Sequence, residues 1–130
     1  DLIVKEKISS SIGTATKGLV HTGATTATQA TDHTTGVTIN ATVGVITLAA
    51  VALAATTNAQ FIFTNSTITT SSIILLTMED ANTTNNAQLA CALVSRSSGS
   101  CIISVVNPHS SGATSATASK IHFLVINNSV

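Results

Sequence analysis

Apolar and polar residues alternate with a period of two in the most regular stretches of the chain. In Gln60-Phe61-Ile62-Phe63-Thr64 the two Phe residues share a face, and in KIHFLVI, residues 120–126, Ile121, Phe123 and Val125 share one. This is the repeat of a half-buried strand, because successive side chains leave a pleated backbone on opposite sides. Beyond Gly18, short runs of this type are separated by Gly, Asn, Asp and Ser turn signals. They predict strands over residues 19–22, 25–31, 36–40, 44–48, 59–65, 72–78, 88–95, 101–106 and 122–126. Nine short strands suit two stacked sheets better than one open sheet. The fold class is therefore all-β, an antiparallel β-sandwich.

Three segments qualify that picture. The run SIILLTM, residues 72–78, is apolar on both faces, as expected of a central strand whose outer face is covered by an arm or another subunit. LAAVALAA, residues 48–55, has high helical propensity but no charged face, so it predicts a helical turn or two or an irregular crossover between sheets. Arg96-Ser97-Ser98-Gly99 reads as a hairpin turn with Gly99 available for positive φ. Centring the turn on Ser97-Ser98 places Cys91 and Cys101 on opposite faces, too far apart for a disulfide. Two free, buried thiols then act as small apolar side chains and point to synthesis in a reducing compartment.

Residues 1–18 differ from the rest. They hold Asp1, Lys5, Glu6, Lys7 and Lys17, half of all charged residues, and Leu2, Ile3, Val4, Ile8 and Ile12 follow no strict period. The segment reads as an arm laid across a neighbouring subunit or the domain's own edge, or as a frayed terminus. Domain organisation is then an N-terminal arm, 1–18, and one sandwich domain, 19–130.

Composition explains why such a chain would meet partners. Ser and Thr make up roughly 30% of the residues, Trp and Tyr are absent, and charged residues are 8% with zero formal net charge, against about 25% charged in ordinary domains. The polar surface is built of hydroxyls. Little repulsion keeps copies apart, so self-association or packing into a larger assembly is expected. With 44% apolar residues gathered in runs, the chain is not of disordered composition. The longest apolar run, residues 45–55, is about half the length needed to cross a bilayer and lies mid-chain, so neither a membrane helix nor a signal peptide is predicted.

Chemistry is sparse. His21, His33, His109 and His122 have no metal-ligand spacing, and neither Cys has a CxxC partner. Glu79-Asp80 is the only acidic pair and lacks the further oxygens of a calcium loop. No GxSxG elbow places Asp32 and His33 in a relay with a serine. The absence of a GxxxxGK loop or basic cluster argues against phosphate and nucleic-acid binding. Sequons at Asn40, Asn65, Asn82 and Asn127 matter only on a secretory route. No catalytic, metal or cofactor site is expected.

Thr28-Gln29-Ala30-Thr31, Thr34 to Asn40 and Gly44-Val45-Ile46-Thr47-Leu48, followed by Ala59 to Ser66, Gly99 to Asn107 and Ile121 to Ile126, resemble a small β-sandwich domain of tailed-phage structural proteins, cyanophages included. Cys101 replaces the aromatic of that family's GSF-type strand, and AAVALAA replaces its polar stretch after ITL. The resemblance implies a jelly-roll-like, homotrimeric virion component on the capsid surface. Its implied partner is the major capsid protein or another virion protein; the apolar arm, through Leu2, Ile3, Val4, Ile8 and Ile12, or one rim of the domain is expected to make that contact. The expected function is capsid decoration or cement, with a tail-fibre or head-fibre domain recognising host glycan as the alternative; lack of Trp and Tyr counts against a sugar platform. No enzyme activity, membrane or nucleic-acid partner is implied.

Overall fold

A computed structural model describes residues 23–83 and 87–128. It contains eight strands and no helix among those residues: β1 Thr25–Thr28, β2 Val37–Thr38, β3 Val43–Thr47, β4 Asn58–Thr64, β5 Ile73–Glu79, β6 Ala90–Ser97, β7 Ser100–Val106 and β8 Lys120–Ile126. The expected run at 19–22 and the arm, with Leu2, Ile3, Val4, Ile8 and Ile12, lie outside the described residues.

Two four-stranded sheets stack as a sandwich, one ordered β1-β3-β8-β5 and the other β2-β4-β7-β6. Up to β6 each strand lies in the opposite sheet from its predecessor, and only β6 and β7 form a hairpin. That alternation corrects the antiparallel expectation. A strand, a crossing through the other layer and a return give parallel neighbours, so β1 pairs with β3 and β2 with β4 in parallel. All four antiparallel ladders involve β7 or β8, which wedge between β4 and β6 and between β3 and β5. The sheets are mixed.

Period-two patterning sets the core. Strand β4 alternates exposed and buried residues throughout, with Phe61 and Phe63 inside, and β8 contributes Ile121, Phe123 and Val125. These meet Ile46, Ile103 and Val105, each fully buried. Each such side chain contributes about 1.5–3 kcal/mol through burial. Phe63 and Phe123 close the centre across the layers, with ring centroids 4.8 Å apart and planes tilted by 58°.

Fully buried amides finish two strands. Beyond β4, Asn65 donates through Nδ2 to the Ala41 carbonyl at 2.7 Å and accepts from the Thr67 N–H at 3.0 Å. Beyond β7, Asn107 donates to the carbonyls of Leu53 at 3.1 Å and Gly112 at 3.0 Å and accepts from the His109 N–H at 3.2 Å. These bonds satisfy backbone groups that the ends of the ladders leave unpaired.

The stretch 48–55 is an irregular crossover. Leu53 exchanges bonds with Thr114 through its N–H to Oγ1 at 2.8 Å and its carbonyl to N–H at 2.9 Å, and the Thr56 N–H donates to His109 at 3.0 Å. Its backbone bonds to the 107–114 loop, to Ser119 and to the Gln29 side chain instead of making helical bonds. Thr56 adopts φ +54° there.

The β6–β7 turn has Gly99 at φ +83°, but Ser97 pairs with Ser100, so it centres one residue later than expected. A bulge between Leu93 and Ser95 shifts the register again. Cys91 consequently sits opposite Val105 and Cys101 opposite Arg96, both on the inward side, which corrects their assignment to opposite faces. Both are free thiols; burial raises Cys91 and pushes Cys101 up to about 11.

Candidate functional site

SIILLTM does not form a central strand. β5 is the edge of its sheet, and Ile73 and Leu75 are 45% and 52% exposed on the outer face. Two-sided apolarity arises because β5 buries Ile74 inward while its outward residues extend an apolar surface.

Cross-strand register builds that surface. Ile73 lies opposite Ile126, itself 42% exposed, and Leu75 opposite half-buried Leu124, which on its other side faces Val43 of β3. Further along, Thr77, His122 and Val45 form the next row, and Glu79, Lys120 and Thr47 the last. One end of this face is aliphatic and the other charged. The outer face of the opposite sheet also carries apolar residues, Ile62 at 57% exposure beside half-buried Ile102 of β7 and Val94 of β6 at 49%, but mixes them with Asn58, Gln60, Thr64, Ser100 and Ser104.

At the charged end, His122 Nε2–H donates to Glu79 Oε2 at 2.6 Å, and Lys120 Nζ lies 3.5 Å from Oε1. The His122 bond, followed by the charge of Lys120, holds the Glu79 carboxyl below its ordinary value. With its side chains about half exposed to water, this cluster gives modest stabilisation and a charged end to the face. Asp80 turns the other way, accepting from Ser119 Oγ at 2.9 Å and the Leu89 N–H at 3.0 Å, which makes it a loop clamp. The Glu79-Asp80 pair thus serves two faces.

Among the described residues no three His, Cys, Asp or Glu side chains converge on a metal-sized site. His33 is buried and its Nε2–H donates to the Ala49 carbonyl at 3.1 Å, while adjacent Asp32 accepts from Thr34 and Thr35. The two do not form a relay. His109 sits in the 107–114 loop between β7 and β8, and His21 lies outside the described residues. Of the sequons, Asn40 is exposed, Asn65 is fully buried, and the amides of Asn82 and Asn127 donate to the Ala87 and Thr67 carbonyls.

His33 gives the chain a measurable pH dependence. Burial lowers its pKa below 6.5, with the Ala49 bond and then the Asp32 charge opposing. As pH falls through 6.5 the unfolded chain takes the proton first, so stability present above that value is lost toward the lower folded pKa. We expect the urea midpoint to fall between pH 7.5 and 5, and His33→Gln to remove most of that slope; an unchanged slope in the variant refutes the assignment.

The cross-strand cluster of Glu79, Lys120 and His122 escapes sequence reasoning, because its signal lies in the β5–β8 register. No solution to that register is written in either strand alone. Set against known protein families, curated proteins and solved structures, the chain finds no match.

Proposed function

We propose that the chain is a non-enzymatic structural component of a virion that binds and stabilises an assembled capsid as a decoration protein. The observation that carries this reading is the aliphatic face formed by Ile73, Leu75, Leu124, Ile126 and Val43 in a chain with 8% charged residues. Contiguous exposed apolar area of this kind marks an interaction surface. The resemblance to tailed-phage sandwich domains supplies the class of partner, and the arm residues Leu2, Ile3, Val4, Ile8 and Ile12 a second proposed contact.

An exposed, mostly uncharged sheet face suits another protein surface better than a small molecule, because ligands of that size need sites with converging polar groups. Binding only the assembled shell would stabilise that state by mass action. Hydroxyl-rich strands serve this role because β-branched Thr fits the pleat and still hydrogen-bonds at a wet rim.

The test is mass spectrometry of purified phage particles carrying this gene, with heads and tails separated, and rebinding of purified chain to stripped heads. The chain is expected in the head fraction, and Leu124→Glu is expected to abolish rebinding while leaving circular dichroism unchanged. A chain absent from particles, or confined to tails and binding reproducibly to a glycan array, overturns the proposal.

A further inference from the structure

Among the described residues the sandwich has four sheet edges, and they are unequally protected. β1 is four residues long and β2 two, each too short to template a long added strand. β6 is longer, but its bulge between Leu93 and Ser95 breaks the ladder. Arg96 also occupies an inward position opposite Cys101 and donates through Nε to the Thr70 carbonyl at 2.9 Å. A bulge and an inward charge are both devices that stop an edge from pairing.

β5 has neither. Its seven residues run without a bulge, without Pro and without charge until Glu79. Among the described residues its ladder is with β8 alone, and no other backbone bond to residues 73–79 is made. An edge strand leaves about half of its N–H and C=O groups directed outward.

We propose that β5 pairs antiparallel with β5 of a second copy of this chain, about a two-fold axis through Leu75, joining two four-stranded sheets into one of eight strands. This goes beyond the capsid reading and stands whether or not the shell is the partner. Three features favour a second copy as occupant. The strand is self-complementary in this register, with Leu75 against the partner's Leu75 and Ile73 against the partner's Thr77. Zero formal net charge leaves no overall repulsion between copies. Antiparallel pairing also brings Glu79 to the partner's Ser71, the end where Arg96 is anchored on Thr70, whereas parallel pairing would stack Glu79 on itself.

The pairing is isologous and closes at two copies. It unites the aliphatic rows containing Ile73, Leu75, Leu124 and Ile126 from both copies at the centre, with Glu79 at the two rims, as in interfaces with an apolar core and polar rim. It differs from the trimer implied by the family resemblance.

The test is sedimentation equilibrium of the full chain over a wide concentration range, with Leu75→Lys and the outer-face control Ile62→Lys, accompanied by amide hydrogen exchange. Wild type and Ile62→Lys are expected at twice the 13.1 kDa chain mass. Leu75→Lys, placing two like charges face to face, is expected to weaken association at least about a hundredfold, with an unfolding midpoint equal to that of wild type diluted to monomer. In wild type, protection of the residue 73–77 amides should rise with concentration. A wild-type monomer, including one whose own N-terminal segment covers the edge, overturns the proposal. So does a trimer, a Leu75→Lys dimer, or concentration-independent exchange in β5.

Discussion

Gly44→Ala is expected to destabilise the fold by about 3 kcal/mol, lowering the thermal midpoint by about 10 °C. Gly44 lies in the middle strand pair, opposite Thr25 of β1 on one side and Phe123 of β8 on the other. A methyl group there would run into the Thr25 carbonyl oxygen and come within 2.9 Å of Phe123 Cε1 and Cζ. Neither can give way cheaply. The oxygen belongs to a backbone fixed in the parallel ladder, and the Phe123 ring is held by Phe63. Gly99→Ala is the matched control, because its added methyl meets nothing within 4 Å. Its φ of +83° restricts the cost to backbone strain of about 1–2 kcal/mol. Combining Gly44→Ala with Phe123→Leu should show favourable coupling by relieving the ring clash, yet not full recovery, since Thr25 remains. A Gly44→Ala midpoint equal to wild type would refute this account of the β1–β3 contact.

Phe63→Ala should cost about 3–5 kcal/mol, a large share of the 5–15 kcal/mol of a typical domain. The ring is wholly buried and bridges three elements: it packs on Phe123 in the other sheet and stands in register with Val37 of β2 and Cys101 of β7. Because β2 has only two residues, its attachment leans on this side chain and on the Ile39 N–H bond to the Thr64 carbonyl at 3.0 Å. The deletion should therefore raise exchange at the Ile39 amide beyond the global change, as measured by hydrogen exchange with NMR detection. Phe63→Leu should cost about 1.5 kcal/mol and preserve Ile39 protection. Equal protection loss in both variants would assign the attachment to the backbone alone.

Most of the strand content was legible because it rests on local alternation. Residues 60–64 and 120–126 specify their buried faces directly, and β1 through β8 fall within a few residues of the expected runs. Direction and neighbours were not legible. Alternation says which side of a strand is buried but nothing of which strand lies beside it, so parallel β1–β3 and β2–β4 and the edge position of β5 had no local signal. SIILLTM shows the ambiguity sharply: two apolar faces suit either a covered central strand or an edge presenting a docking surface. The cysteine faces failed for a related reason, since one bulged residue at Leu93/Ser95 inverts alternation beyond it. As for the candidate site, its aliphatic part was visible as excess apolarity in SIILLTM, while Glu79, Lys120 and His122 come together only through pairing across 41 and 43 residues.

The wedged positions of β7 and β8 have a consequence for the chain as it leaves the ribosome. Among the described residues every antiparallel ladder waits for residues 100–126, so a nascent chain ending earlier has, of these ladders, the four-residue β1–β3 and two-residue β2–β4 pairings to form. Cooperative folding is thus deferred until the last two strands have emerged. During that interval β5 lacks its native neighbour and displays two open edges at once, which makes residues 73–79 the natural place for a chaperone to hold.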